Sequence, residues 1–282
     1  MNTSGPTYKA YSFAHHKEVY LLLETTFRKF GISYYLIGAN ARDVALYKAG
    51  QKPTRATGDI DFAIMLPDIS TYEALLQELV DNGFFPQKKQ EGYRMHHRKT
   101  NTLIDLLPYG GIAGNNLVQL PGTGIELSVV GLAEVGEEIQ GFKHPEGFAI
   151  PVSPTHGVVI LKLISWSERP ERTKDLKDIK DLFKAAWNLY EEELFLEGSP
   201  YADIFDAEDF RQETAAARVM GRKMQSILDR DQNLKNLIIT ELEKELGTGT
   251  GPKVREMVAG TDDNVGEIKN IFSALLRGIK DN

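Results

Sequence analysis

Apolar positions in this chain follow two regimes. Up to about residue 152, short runs of period two alternate with runs of helical spacing; beyond it the helical period takes over. Tyr20, Leu21, Leu22, Leu23, Phe27 and Phe30 predict a helix over about 15–30, with Gly31 as its C-terminal cap. Residues 1–14 ahead of it read as a loose arm. Tyr34–Ile37 is a strand, closed by Gly38-Ala39-Asn40, and a second helix runs from Ala41 to Ala49 and ends at Gly50. A loop over 51–57 delivers the chain to a strand, Asp59-Ile60-Asp61-Phe62-Ala63-Ile64. Ser70-Thr71-Tyr72-Glu73 has the capping-box pattern and opens an amphipathic helix that ends near Gly83. Tyr93–Arg98 and Leu103–Leu107 form a strand pair about the turn Lys99-Thr100-Asn101. A short helix near 131–139 and a strand over 148–152 complete this half.

At Ser153-Pro154 the character changes, with Ser153 placed as an N-cap and Pro154 at the first helical position. Helices are predicted over about 154–167, 174–190, 207–229 and 233–246. The run Gly247-Thr248-Gly249-Thr250-Gly251-Pro252 follows a helix and lacks the Gly-Lys-Ser/Thr ending of a phosphate loop, so it reads as a flexible linker. A final helix over about 264–278 carries Val265, Ile268, Ile271, Phe272, Leu275 and Leu276 on one face. The expected fold class is α+β: an N-terminal mixed-sheet domain over 1–152 followed by a C-terminal helical domain over 153–282.

Composition narrows the setting. The 282 residues are 41% hydrophobic and 26% charged, as in an ordinary globular protein. No apolar run is long enough to span a bilayer and no signal peptide is visible; the lack of cysteine agrees with a cytoplasmic home. There is no cysteine, so disulfides, zinc-thiolate sites and cysteine nucleophiles are excluded together. The net charge of −7 excludes a large nonspecific nucleic-acid footprint; a nucleic-acid partner would have to meet a local basic patch. One such cluster exists: Lys88, Lys89, Arg94, His96, His97, Arg98 and Lys99. It suits RNA or is simply a solvated hairpin.

Candidate chemistry centres on Asp59 and Asp61. Side chains two apart on a strand point the same way, so the two carboxylates share a face, with Cα atoms about 6.5 Å apart. Held together they repel, and without a cation one tends to take up a proton. A hard divalent cation relieves that conflict; Mg²⁺ is typically held by one or two carboxylates plus substrate phosphates. Asp105 is a lone charge in Leu-Ile-Asp-Leu-Leu and would be costly to bury unpaired. If its strand adjoins the Asp59 strand, three carboxylates converge. That is the two-metal arrangement for phosphoryl or nucleotidyl displacement, with Asp105 taking a proton from the attacking hydroxyl. The alternative is a structural Asp105 paired with Arg94 or Arg98 across the hairpin.

Gly38, between a strand and a helix, allows a sharp turn whose following amides can receive an anion, and Asn40 adds a polar tip. Arg42 reaches phosphate, is a solvated charge or pairs with Asp43. Lys162 lies in an otherwise apolar helix and either snorkels to water or faces something anionic. Asp175 and Asp178 stand one turn apart at the start of the next helix, where an acidic residue ordinarily complements the helix dipole.

Gly38-x3-Arg42-Asp43, Asp59-Ile60-Asp61 and Ile104-Asp105-Leu106 together resemble the polymerase-β-type nucleotidyltransferase superfamily. Asp105-Leu106-Leu107-Pro108-Tyr109-Gly110-Gly111-Ile112, Leu161-Lys162-Leu163-Ile164-Ser165-Trp166, Arg169 and Lys174-Asp175-x2-Asp178 are similar to the AbiEii/AbiGii-type toxin nucleotidyltransferases of bacteria, over about residues 34–230. One departure is Gly38-Ala39-Asn40, where that family has Gly-Ser or Gly-Gly. The resemblance implies Mg²⁺-dependent transfer of a nucleoside monophosphate from an NTP to a hydroxyl, with two Mg²⁺ on Asp59, Asp61 and Asp105. It implies a nucleotide site of Gly38, Ala39, Asn40, Arg42, Lys162, Asp175 and Asp178. The acceptor it implies is an RNA, the 3′ end of tRNA, in a toxin countered by an antitoxin protein. Two other readings stand beside it: transfer to a small-molecule or protein hydroxyl, and a non-catalytic nucleotide- or partner-binding module.

Overall fold

The computed structural model describes residues 7–86, 92–205 and 210–281. Residues Met1–Val44 and Lys52–Pro154 make one compact unit, and Ala45–Gln51 with Thr155–Asn282 make the other.

The first unit is built on α1 (Lys17–Phe30), β1 (Tyr34–Leu36), α2 (Gly38–Lys48, its start), β2 (Asp59–Met65), α3 (Ile69–Asp81), β3 (Phe84–Pro86), β4 (Arg94–His97), β5 (Thr102–Tyr109), β6 (Leu117–Gln119), β7 (Glu126–Ser128), α4 (Leu132–Gly136), β8 (Gln140–Lys143) and β9 (Ala149–Val152). Seven strands form one mixed sheet in the order β3-β4-β5-β2-β1-β9-β8, and β6 pairs with β7 apart from it. The β2–β5 and β1–β9 pairs are parallel; the other pairs in the large sheet are antiparallel. The expected mixed α+β sheet is therefore present.

Alternation in β2 explains its placement. Ile60, Phe62 and Ile64 are buried, and the Phe62 ring meets those of Tyr20 and Phe27 from α1 and Tyr34 from β1. The helix α1 stops at Gly31, in the left-handed region at φ 65°, whose N–H returns to the Phe27 and Arg28 carbonyls. Two expectations fail here. Over its described residues, from 7 on, the arm before α1 is not loose: 8–10 and 12–15 are 3₁₀ turns, with Tyr11 and Phe13 buried and their rings stacked, while residues 1–6 of that expectation lie outside the described residues. The cap of α3 is Asp68, whose carboxylate accepts the Thr71 N–H at 2.8 Å; Ser70 only donates to Asp68 at 2.7 Å.

The second unit is helical: α5 (Thr155–Glu168), α6 (Thr173–Phe195), α7 (Ala202–Phe205), α8 (Gln212–Leu228), α9 (Gln232–Leu246), α10 (Pro252–Val258) and α11 (Val265–Lys280). The turn after α2 is tied to it, Asn188 and Gln51 donating to the Ala49 and Lys184 carbonyls at 3.0 Å each. The last helix packs along α8 through Ile268, Phe272, Leu275 and Ile279. Close approach needs glycine on both sides. A Cβ on Gly221 would stand 2.2 Å from the Leu275 carbonyl oxygen, and one on Gly278 as near the Arg218 carbonyl oxygen. Arg218 and Arg222 then clamp Asp281 just past the end of α11, at 2.8 and 2.6 Å.

Three helical expectations need correction. The glycine run after α9 is a packed turn, not a flexible linker: Lys269 donates to the Gly249 carbonyl at 2.5 Å and the Val254 N–H to Glu245 at 3.1 Å. Its Pro252 starts the unforeseen α10. The helix expected over 207–229 spans 212–228, with residues 207–209 of that expectation outside the described residues. Among the described residues no helix is long and apolar enough to cross a membrane.

Candidate active site

The parallel pairing of β2 and β5 aligns Asp61 with Asp105 and Asp59 with Leu103. Paired residues of adjacent strands point to the same side, so Asp59, Asp61 and Asp105 lie on one face, opposite Phe62 and its neighbours. One carboxylate oxygen from each lies within 4.8 Å of the other two. Asp105 is only 6% exposed, while Asp59 and Asp61 are half-buried. Three like charges this close raise each other's electrostatic energy and need a counter-charge.

Arg94 supplies one within the protein. It is the register partner of Asp105 on the antiparallel β4 and so projects from the same face. Its guanidinium donates to both oxygens of Asp105, Nε and one terminal nitrogen at 2.6 Å each, and stands 3.7 Å from Asp59. The Asp105 hydrogen bond raises the arginine's pKa further above its ordinary value. Thr57 donates its hydroxyl to Asp59 from the preceding loop. The donor set is all oxygen, anionic and convergent, which suits a hard cation such as Mg²⁺ and not a soft one.

The turn at Gly38 is fixed to this cluster. Gly38 has φ 64°, and a Cβ there would stand 2.1 Å from an Asp61 carboxylate oxygen, so only glycine fits. The Ile37 N–H donates to the Asp61 carbonyl at 3.0 Å, and helix α2 begins at Gly38 itself rather than at Ala41. Ala39 is buried. Asn40 is not a polar tip: it is wholly buried, donates to the Asp59 carbonyl at 2.7 Å and accepts from Tyr20 at 3.4 Å. Nor does Arg42 reach outward. It is fully buried, donating to Asp43 at 2.9 Å through Nε and to the Arg55 carbonyl at 2.9 Å. Asp43 also accepts the Ser12 N–H at 2.8 Å, and the Ser12 hydroxyl accepts the Thr57 N–H at 3.1 Å. To contact a phosphate, Arg42 would have to leave a buried charge partner, at a cost of several kcal/mol. Both residues brace the loop that carries Thr57 and Asp59.

In the second unit, Lys162, Asp175 and Asp178 form their own buried cluster. The Lys162 ammonium lies 3.0 Å from Asp175 and 2.6 Å from Asp178. Ser165 and Arg172 also donate to Asp175, at 3.0 and 2.9 Å. Burial pushes the Asp175 carboxyl up, and the Lys162 and Arg172 charges outweigh it, leaving the pKa below its ordinary value. Lys162 therefore neither snorkels nor stands as an unpaired cation awaiting a triphosphate.

The basic hairpin is also engaged. Lys99 pairs with Glu18 at 2.6 Å, His97 is buried against Thr100, His96 bonds Asn101, and Arg98 lies 3.6 Å over the Phe85 ring. Lys88 and Lys89 lie outside the described residues. Sequence reasoning missed Thr57, whose signal was its place two residues before Asp59. It also missed His16, half-buried and 3.4 Å from the Thr102 hydroxyl.

No family model matches the chain, and neither does any curated protein. Among solved structures it is similar to an antigenic nucleotidyltransferase-like protein from Paracoccidioides brasiliensis, at 14% identity over 80% of this chain and 93% of that one, with a TM-score of 0.43. It is also similar to the antibiotic-resistance factor ANT(2'')-Ia, at 14% identity over 63% and 87%, with a TM-score of 0.37. A tRNA-processing enzyme complex is similar at 14% identity over 92% and 74%, with a TM-score of 0.27. What the carboxylates can do follows from their own geometry.

Proposed function

We propose that this protein is a metal-dependent nucleotidyltransferase that moves a nucleoside monophosphate from an NTP to an acceptor hydroxyl. The observation that carries the proposal is the convergence of Asp59, Asp61 and Asp105 on two adjacent parallel strands, beside a turn in which Asp61 leaves room only for Gly38. Asp59, Asp61 and Asp105 would hold Mg²⁺, two ions in the full arrangement. When bound, the metal neutralises the triphosphate and polarises the phosphoryl oxygens.

The chain's own groups do the rest. Gly38 and the backbone after it accommodate the triphosphate at the start of α2, with Asn40, Arg42 and Thr57 keeping that turn and Asp59 in register. Asp105 accepts the acceptor's proton as its oxygen attacks the α-phosphorus. The bond to the β-phosphate breaks in line and pyrophosphate leaves. Residues 1–152 act as the catalytic domain in this proposal and 153–282 as a helical domain, in which the Lys162 cluster is a buried brace.

For the acceptor we propose an RNA, the 3′ end of tRNA, in a toxin paired with an antitoxin; the motif resemblance supports this. A second reading, a small-molecule or protein hydroxyl, is favoured by the engagement of Lys99, His97 and Arg94 within the protein, which among the described residues leaves the hairpin few cations for a phosphate backbone. Incubation with each α-³²P-labelled NTP, Mg²⁺, total RNA and soluble extract separates the two, with Asp59→Asn as control. Label in tRNA that the variant loses supports the first. Label confined to protein or small molecules supports the second. No label in any fraction, with no metal-dependent NTP binding, contradicts the enzyme.

A further inference from the structure

We propose that Arg94 is the resident counter-cation of the carboxylate triad, and that divalent metal and Arg94 compete for the Asp105 carboxylate. This rests on the reading of the triad as a metal site. The guanidinium holds both oxygens of Asp105 at 2.6 Å and faces Asp59 at 3.7 Å, so one cation already serves two of the three carboxylates. An arginine keeps its charge at every accessible pH, so its neutralising effect cannot be titrated away; it ends only when the side chain moves.

Register explains why the arrangement is built in. Arg94 is the antiparallel partner of Asp105, and Asp61 is its parallel partner on the other side. Three adjacent strands thus place a cation, a carboxylate and a second carboxylate in one row on one face. The remaining anion, Asp59, lies two residues before Asp61 on that face, within reach of the same guanidinium. Without Arg94, Asp105 would be a buried carboxylate among like charges, a costly state.

The two ends of the pair are not equally fixed. The Asp105 side chain is 9% exposed and central in the sheet; that of Arg94 is 28% exposed, and its three-carbon stem can turn outward to water. Exchange therefore proceeds by the arginine leaving while the carboxylate stays. Without metal, Arg94 offsets part of the triad's negative charge. Metal affinity is correspondingly lowered, because each binding event must displace an internal bidentate ion pair.

The test is Mn²⁺ binding to the full chain without nucleotide, read as the electron paramagnetic resonance signal of free Mn²⁺. Arg94→Met should bind Mn²⁺ about tenfold more tightly than the natural protein, from removal of one competing charge at close range. Arg94→Lys, which retains a cation, should lie between them, and Asp105→Asn should bind more weakly than either. Equal or weaker binding by a folded Arg94→Met overturns the proposal. A second measurement on the unaltered protein guards against misfolding of that variant. The ¹⁵Nε signal of Arg94, assigned by its loss in Arg94→Lys, should shift when diamagnetic Mg²⁺ is added. A signal unmoved at saturating Mg²⁺ overturns the exchange but leaves the metal site standing. Failure of the natural protein and every variant to bind Mn²⁺ overturns both.

Discussion

At Asp105 the chain accepts a charge inside an apolar strand, and its neighbours show what makes that tolerable. Arg94 grips it, and Asp61 and Asp59 add anions that a cation could share. The spacing Asp-x-Asp and the isolation of Asp105 were legible from sequence because both break an apolar alternation. The Arg94–Asp105 pairing was legible as one of two options; choosing between them required the register of β4 on β5, which no local pattern encodes. Asn40, Arg42 and Lys162 mark the limit. Asn40 is expected as a polar tip, Arg42 as a phosphate ligand, a solvated charge or the partner of Asp43, and Lys162 as snorkelling or facing an anion; all three are buried against protein partners, Arg42 on Asp43, because sequence shows residue type and not direction.

Replacing Lys162 by Ala leaves two buried carboxylates facing each other, and stability should fall by about 3–5 kcal/mol in urea unfolding. An unchanged midpoint would return Lys162 to the ligand-facing role. The pKa of His16 is pushed down to about 4, first by burial and then by the neighbouring His15 charge, against the opposing pull of Asp59. An unfolded histidine titrates near 6.5, so between those values the unfolded chain binds more protons. Stability should thus be lost as pH falls from about 6.5 to about 4, by roughly 1–3 kcal/mol from this group. Without metal, His16→Gln should lose less than the natural protein over that window; parallel curves would sink the assignment.

Among the elements, β2 is the clearest case of sequence specifying structure. Strict alternation fixes one face on α1 and leaves the other to the carboxylates, and a slip of one residue would exchange them. Helix starts were less legible. The segment from Asp68 to Thr71 contains Asp, Ser and Thr within four positions, all competent caps, and the cap is the residue whose carboxylate reaches the Thr71 N–H. Asp68→Ala should cost about 1 kcal/mol and Ser70→Ala a few tenths, measured by thermal unfolding. Equal losses would restore the capping box. The turn after α9 differs for a related reason: glycine composition signals flexibility, but Glu245 at the end of α9 and Lys269 on α11 pin this turn through contacts that composition does not show.

For the whole molecule, the change of period near residue 153 announced a sheet-bearing part followed by helices, because hydrophobic periodicity reflects how each element buries its face. Strand order was not announced. The sequence order β2-β3-β4-β5 becomes β3-β4-β5-β2 in the sheet, and that crossover is what sets β5 beside β2 in parallel. The candidate site is a consequence of this topology: two carboxylates come from one strand and the third arrives from a strand about forty residues later. Its net charge of −7 leaves the protein as a whole repelling nucleic acid, so any RNA must be held locally.

The most direct test is a crystal structure with Mn²⁺ and a non-hydrolysable NTP, with Mn²⁺ located by anomalous scattering. Anomalous density should lie bonded to Asp59, Asp61 and Asp105, with the triphosphate against the turn at Gly38 and the Arg94 guanidinium withdrawn from Asp105. Nucleotide or Mn²⁺ bound away from the three carboxylates, with Arg94 still closed on Asp105, would contradict this arrangement.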